Sequence, residues 1–260
     1  MILIIFGDLM TKDRFKFERD GFDFPFYDDI KSLSKVKWIV LSLSYIITFC
    51  FLLFPVPLSS FFGTNIITEN ITLIFCLIPV IGFGFASDFN FGTVFKKIKS
   101  NDILLIIVTL ILVFVYSMGM VYILSFLGVH VVPDSVMAHN PLNNIFSTVA
   151  IFLQLLGEEF IKLVPFLLIL TLLYYYSSNR KLSIVIAALL AMLLFGIAHW
   201  HAYDGNIIQI LLIQGLGSLI PFFTYIKTKN LLISYIVHVA EDISIFALVM
   251  LATYLSHCFL

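Results

Sequence analysis

The longest apolar run of the chain extends from Ile145 to Tyr176 and carries Glu158, Glu159 and Lys162 near its middle. A run of this length is typical of a membrane-spanning helix, because about 20 apolar residues cross the hydrocarbon core of a bilayer. The whole sequence is 61% hydrophobic and only 12% charged, with a mean hydropathy of +1.07. A soluble core cannot absorb so much apolar sequence, so the composition predicts a polytopic membrane protein.

Further apolar segments follow one another along the chain as candidate transmembrane helices. Their approximate bounds are 38–54, 71–86, 103–127, 145–175, 182–199, 207–225 and 231–255. The sixth segment contains Pro221, where an interruption is expected. Each segment must satisfy its backbone hydrogen bonds internally in lipid, which favours helices. The sequence therefore predicts an all-α fold, a polytopic helical bundle of about seven or eight transmembrane helices.

Composition divides the chain into two parts. Residues 1–37 carry mixed charges and aromatic side chains, and they are interpreted as a cytoplasmic or interfacial N-terminal arm. Residues 38–260 are predicted to form the transmembrane bundle, with the chemically interesting residues confined to 145–250.

Basic residues predict the orientation of the bundle. Fourteen of the fifteen Lys and Arg lie in the arm and in the links after the second, fourth and sixth segments, and the fifteenth is Lys162. The alternate links, at 55–70, 128–144 and 200–206, hold none. The positive-inside rule assigns the basic side to the cytoplasm. We therefore expect a multi-pass protein of the cell membrane with a cytoplasmic N-terminus.

The ionisable residues of the fourth segment require an explanation, because charged groups at membrane depth are costly and usually mark a site or an ion path. Glu158 and Lys162 are four residues apart and share a helix face, whereas Glu159 points away from it. A buried structural ion pair is the simplest interpretation. One Lys neutralises only one of two Glu, however, so a carboxylate is left over.

Two other segments carry ionisable residues. His199 ends the fifth segment, and His238, Glu241 and Asp242 lie in the seventh. The spacing of four places His238 and Asp242 on one helix face, whereas His201 is expected to face away from His199. Imidazole and carboxylate groups on three helices can hold Zn²⁺ or activate water. Water attack on an amide needs a base, oxyanion stabilisation and a proton donor, and Glu with His can supply these with or without metal.

These residues resemble the signatures of a superfamily of intramembrane proteases. It includes the type II CAAX prenyl endopeptidases, the bacteriocin-processing and immunity homologues of the CPBP or Abi family, and the PrsW-type proteases. The signatures are a Glu-Glu pair followed by a basic residue, then Phe-x-x-x-His, then His-x-x-x-Asn or Asp. The matching residues are Glu158-Glu159-x-x-Lys162, Phe195-x-x-x-His199 and His238-x-x-x-Asp242. The resemblance covers roughly residues 145–250.

The resemblance implies an intramembrane endopeptidase that acts on a membrane-embedded or membrane-anchored protein or peptide, without a nucleic-acid partner. It implies Glu158 as general base on water, with His199 as its partner. His238 and Asp242 would hold the oxyanion or a metal, and Glu159 and Lys162 would support the site. The family implies either Zn²⁺ or a metal-free glutamate mechanism. The candidate zinc ligands are Glu159, His199, His238 and Asp242.

Two positions depart from the CAAX-type pattern, which reads Glu-Glu-x-x-x-Arg and ends its third motif in Asn. Position 163 is Leu, the basic residue comes one earlier as Lys162, and the third motif ends in Asp242. Both departures resemble the PrsW-type pattern, but that branch carries a carboxylate where this chain has His199. A prenylated substrate is therefore not assumed. An ionised Asp242 would repel an oxyanion, so this departure taken alone slightly favours a metal.

Two alternatives of other classes are left open by the sequence. A proton-coupled secondary transporter could use Glu158, Lys162 and His238 as a relay, and it predicts inverted repeats, which the sequence does not display. A non-catalytic scaffold or immunity protein of the same fold, like the Aph-type subunit of gamma-secretase, is the second alternative. The side on which a cavity would open is also left open. Counting along the segments places His199 near the outer end of its segment but His238 near the inner end of its own.

Overall fold

The computed structural model describes residues 13–56, 60–61, 63, 71–132 and 145–258, with the backbone alone at 145–147, 249–250 and 252–258. This part of the chain contains long helices, numbered here in chain order, and no strand. They are α1 (Lys35–Leu53), α2 (Ile71–Ala86), α3 (Ser100–Phe126), α4 (Ile145–Ser177), α5 (Arg180–Ala198), α6 (Ile207–Thr228) and α7 (Leu231–Cys258).

Five stretches of helix in the described residues are long and apolar enough to cross a membrane. They are Lys35–Leu53, Ser100–Phe126, Arg180–Ala198, Ile207–Thr228 and Leu231–Leu248. Helix α2 is a shorter apolar helix. The predicted class, a multi-pass helical membrane protein, is confirmed, whereas the count of seven or eight spans stays a prediction.

Helix α6 departs from the expected interruption at Pro221. It begins with an α-helical turn, continues as a π-helix over Ile210–Leu216, and resumes as an α-helix over Leu219–Thr228. The irregular stretch therefore precedes Pro221. This proline lies in the first turn of the last part, where its missing N–H would have no helical partner anyway. Short π-helical stretches are frequent at functional sites.

Helix α4 forms the centre of the bundle and packs against α1, α2, α5 and α7. Its middle is completely buried, and Phe160, Leu163, Val164, Phe166 and Leu167 each have 0% exposure. Burial on every face explains why the sequence is apolar all round rather than amphipathic.

Glycine allows α2 to approach α4 closely beside Glu158. A Cβ added at Gly157 would lie 2.5 Å from the carbonyl oxygen of Cys76, a backbone atom that cannot move alone. At Gly196 an added Cβ would lie 2.6 Å from the carbonyl oxygen of Ile210, so α5 contacts the π-helical stretch of α6 equally closely. Small residues at helix contacts are the usual means of close packing in membrane bundles.

The described part of the arm, residues 13–34, lies across one end of the bundle. Both carboxylate oxygens of Glu18 accept hydrogen bonds from Arg180 at the start of α5, at 2.7 and 2.6 Å. Lys229, between α6 and α7, donates to the same carboxylate at 2.6 Å. Arg19 pairs with Asp102 at the start of α3. The arm therefore joins the ends of α3, α5 and α6.

The link between α6 and α7 is buried under this end. Lys229, Asn230 and Leu231 each have 0% exposure. The Asn230 side chain exchanges two hydrogen bonds with the backbone of Lys96, at 2.9 and 3.0 Å, and the Leu231 N–H donates to the Val94 carbonyl at 2.8 Å. Helix α7 thus begins inside the protein, beneath the arm and the α2–α3 link.

Candidate active site

The ion pair on α4 forms between Lys162 and Glu159, three residues apart, and both side chains are buried. Lys162 Nζ also lies 4.9 Å from the centre of the Phe195 ring, a favourable position for a cation. The sequence pattern had placed Glu158 on the face of Lys162. Because Lys162 binds Glu159 instead, Glu158 is the carboxylate left over.

Glu158 is buried with one side open to a cavity. Its Oε1 accepts a hydrogen bond of 3.1 Å from Nε2 of Gln154, one helical turn earlier. Gln154 therefore holds the carboxylate without neutralising it. The sequence analysis missed this residue, although an amide four positions before a buried carboxylate is a recognisable signal.

His238 on α7 lies between the two adjacent carboxylates of α4. Its Nδ1 is 2.9 Å from Glu159 Oε1, and its Nε2 is 3.7 Å from Glu158 Oε2. A carboxylate already bound by Lys162 is an acceptor, which assigns the proton to Nδ1. The Glu158 distance exceeds direct hydrogen-bond range, and one water molecule can contact both atoms.

His199 follows the last residue of α5 and caps that helix. Its Nδ1 is 2.9 Å from the Phe195 carbonyl oxygen. A carbonyl only accepts hydrogen bonds, so Nδ1 carries the proton and Nε2 of the neutral ring is an acceptor. The Phe-x-x-x-His spacing thus has a local function, because the phenylalanine carbonyl one turn earlier fixes the imidazole.

A single cavity of about 590 Å³ collects most of the predicted site residues. Its lining includes Glu158, Lys162, His199, His238 and Asp242. Glu159 lies behind His238 and is not part of the lining. Helices α4, α5 and α7 therefore contribute side chains to one volume. That volume is of the size typical of ligand-binding cavities.

Two further residues of the cavity differ from the sequence expectation. His201 was expected to face away from His199, but both line the cavity, and His201 Nε2 lies 2.7 Å from the Leu53 carbonyl at the end of α1. Helical spacing does not apply there, because α5 ends at Ala198. Ser117 of α3, a partner of Glu241, also lines the cavity and was not singled out.

His199 and His238 lie near one another although counting along the segments gave them different depths, since their rings lie 4.7 and 6.5 Å from the Phe195 ring. Helix α7 begins at Leu231, so an earlier start is not the reason. Its first residues already lie below the surface of the bundle, with Leu231 and Ile233 both at 0% exposure. His238 is therefore deeper than its distance from the start of the helix suggested.

The arrangement of side chains does not fit the predicted zinc ion. Structural and catalytic zinc sites use three or four protein ligands. No group of three or more His, Cys, Asp or Glu in the described residues is placed to hold a metal. Lys162 binds Glu159 and lies 3.4 Å from His238 Nδ1, so a cation already lies beside both of these candidate ligands. The other oxygen of the Glu159 carboxylate, Oε2, has no hydrogen-bond partner in the described part of the chain. A single free ligand atom is too few to hold a zinc ion.

Comparison with known families agrees with the motifs. Residues 140–244 match the family model described as type II CAAX prenyl endopeptidase Rce1-like. The matched region contains all three motifs, and it confirms the resemblance to the CPBP or Abi superfamily. This family implies a protease with a CAAX-protease-like membrane fold. No curated protein and no solved structure is significantly similar to the chain.

Proposed function

We propose that the protein is an intramembrane endopeptidase in which Glu158 activates water to hydrolyse a peptide bond of a membrane-associated protein or peptide. The observation that carries the proposal is the position of Glu158. It faces His238 Nε2 across 3.7 Å inside the cavity, while Lys162 neutralises the neighbouring Glu159. A structural ion pair alone would not require this second buried carboxylate.

Glu158 is suited to act as the general base because no Lys or Arg of the described residues pairs with it, and the His238 ring, which is charged only when protonated, lies 3.7 Å away, beyond direct hydrogen-bond range. A water molecule in the cavity that contacts both Glu158 and His238 gives its proton to the carboxylate as its oxygen attacks the carbonyl carbon. Glu158 then returns the proton to the leaving amine. His199 lines the same cavity and is assigned the role of orienting the water or the leaving amine through Nε2, the acceptor of its neutral ring.

Stabilisation of the oxyanion is assigned to His238. Glu159 fixes the ring through Nδ1, and Lys162 keeps Glu159 ionised. A protonated ring then presents Nε2–H towards the cavity, where a fixed donor stabilises developing negative charge. Asp242 lies four residues further along α7 and lines the same cavity. In this metal-free scheme it donates to the oxyanion only in its protonated form.

The proposal is tested with the purified protein in detergent and a screen of membrane-protein and peptide substrates. Glu158→Gln should lower the cleavage rate by about 10²–10⁴-fold, the usual loss when a general base is removed. Asp88→Asn, at an exposed carboxylate paired with Lys37, is the control and should cleave normally. Cleavage by Glu158→Gln at the wild-type rate would overturn the assignment. A wild-type protein that cleaves no substrate in the screen would favour the scaffold alternative.

A further inference from the structure

The end of the bundle that carries the arm is filled by aromatic side chains. Phe166 follows Lys162 by one helical turn on α4, and its ring lies 5.1 Å from both Phe24 of the arm and Phe222 of α6. Tyr225 packs against the same rings. Phe166, Phe222 and Tyr225 have 0% exposure. These rings and the buried Glu18 carboxylate separate the site from that surface.

The cavity extends towards the opposite end of the bundle. Besides the site residues, its lining includes positions that follow the far ends of three helices. These are Pro55 after α1, Val131 and Val132 after α3, and His201, Ala202 and Tyr203 after α5. The starts of α2 and α6, which lie at this same end, contribute Thr72 and Gln209. The site is therefore connected to the face away from the arm.

The rim at this end is held by specific hydrogen bonds. The Gln209 side chain accepts from the Val132 N–H and donates to the Val132 carbonyl, both at 2.8 Å. Asn206 donates to the His130 carbonyl at 2.6 Å, and His201 contacts the Leu53 carbonyl. These contacts tie the chain after α3 to α6, and the chain after α5 to α1. The rim is thus a defined part of the fold.

Charge distinguishes the two ends. The arm and the links at the arm end hold fourteen of the fifteen Lys and Arg, and the links at 55–70, 128–144 and 200–206 hold none. The positive-inside rule places the arm end in the cytoplasm and the cavity rim on the outer side. The walls between rim and site are largely apolar, with Phe51, Leu52, Ile151, Ile213 and Phe246 among them.

We infer that the site takes its substrate from the outer face of the membrane, as a neutral apolar segment of a membrane-bound protein whose scissile bond lies in the outer half of the bilayer. The inference rests on the proposed endopeptidase function. An apolar wall offers no partner for a charged side chain, and desolvating such a side chain without one is costly. A substrate chain presented from the cytoplasm would meet the aromatic layer and the arm instead.

The side of access is tested by cysteine labelling in intact cells, which does not depend on activity. Cys50, Cys76 and Cys258 are replaced by Ser, and single cysteines are introduced as Ala202→Cys at the rim and Ile151→Cys in the cavity wall. Leu153→Cys is the matched control, because Leu153 lies on the same helix, is 39% exposed and does not line the cavity. Asp28→Cys reports on the exposed surface of the arm.

A membrane-impermeant maleimide added outside should label Ala202→Cys and Ile151→Cys many-fold faster than Leu153→Cys, because a thiol in lipid does not ionise. Asp28→Cys should be labelled only after permeabilisation. Labelling in denaturing detergent measures the total thiol of each variant and so corrects for misfolded protein. If the rim and cavity cysteines react only after permeabilisation, or only together with Asp28→Cys, the inference is overturned.

The depth of the scissile bond is tested with two single-span reporter proteins that carry the same apolar cleavage sequence, taken from the peptide screen. One reporter places the sequence in the outer half of the bilayer and the other in the inner half. Cleavage of the outer reporter alone, lost in Glu158→Gln, is expected. Cleavage of the inner reporter would overturn the inference. Cleavage of neither reporter would contradict the endopeptidase proposal, and the labelling result would still decide the side of access.

Discussion

At the scale of single residues, the site is organised by which carboxylate Lys162 neutralises. Its ammonium binds Glu159, which in turn holds His238 Nδ1, so these three groups form one hydrogen-bonded unit. Glu158 is excluded from that unit and is held by a neutral amide. In the proposed mechanism these surroundings give two adjacent residues of one type separate roles, Glu159 as a structural anchor and Glu158 as the reactive group.

Asp242 distinguishes a metal-free site from a zinc site. An amide donates to an oxyanion at every pH, whereas a carboxylic acid donates only while it is protonated. In the metal-free scheme Asp242→Asn should keep its activity, and should exceed the wild type at high pH, with no effect of chelator. The measurement is the cleavage rate against pH for both proteins, with and without chelator. A reversible loss on chelation, together with about 10–100-fold lower activity of the variant, would indicate a zinc site instead.

Gln154 is expected to position Glu158. Gln154→Leu removes the 3.1 Å hydrogen bond to the carboxylate, and a hydrogen bond to a charged group is typically worth about 1.5–3 kcal/mol. We expect kcat to fall about tenfold to a hundredfold with little change in KM. Gln214→Leu removes the same amide from another part of the cavity wall and is the control. When Glu158→Gln is already present, Gln154→Leu should not lower kcat any further. If the two losses in kcat add fully, Gln154 does not act through Glu158.

At the scale of secondary structure, hydropathy predicted the helices well because each apolar segment must satisfy its own backbone in lipid. Helix α2 ends where the sequence placed it, at Ala86. The π-helical stretch at Ile210–Leu216 was not predicted, since an extra residue per turn leaves no trace in an apolar pattern. The partner of Lys162 was also not fixed by spacing, because positions three and four residues apart are both within reach on a helix.

The contact between α2 and α4 at Gly157 is expected to be essential. In Gly157→Ala the added methyl group would lie 2.5 Å from the Cys76 carbonyl, so the helices must separate beside Glu158. We expect a loss of about 1–3 kcal/mol of stability, the usual cost of overpacking, together with reduced cleavage. The matched control is Gly119→Ala on α3, where an added Cβ meets no atom within 4 Å. In detergent, Gly157→Ala should have a lower melting temperature than Gly119→Ala. Equal melting temperatures would contradict the argument.

At the scale of the whole molecule, the bundle has one closed end and one end with a cavity. The sequence predicted an arm over residues 1–37, and it predicted the basic end from the positions of Lys and Arg. It did not predict that Glu18 would bind Arg180 and Lys229, because no local pattern connects residues so distant in sequence. Basic residues that were interpreted only as topology signals therefore also attach the arm to the helix ends.

The attachment of the arm is expected to depend on pH through Glu18. Burial raises the pKa of this carboxyl, but hydrogen bonds from Arg180 and Lys229 outweigh that effect and hold the pKa at about 2, below its ordinary value of 4.5. The unfolded chain binds the proton first as pH falls. The stabilisation is therefore complete above about pH 4.5 and is lost as pH falls towards 2.

Glu18→Gln should accordingly lower the melting temperature in detergent at pH 7, by an amount corresponding to a few kcal/mol. The difference between variant and wild type should shrink as the pH is lowered from 4.5 towards 3, because the wild-type carboxyl then loses the advantage of its ionised form. Asp88→Asn is the control, since Asp88 pairs with Lys37 at an exposed position, where such pairs contribute little. A difference between Glu18→Gln and the wild type that stays constant from pH 7 to pH 3 would show that the arm is held by its apolar contacts, such as Phe24 on Phe166, rather than by the buried carboxylate.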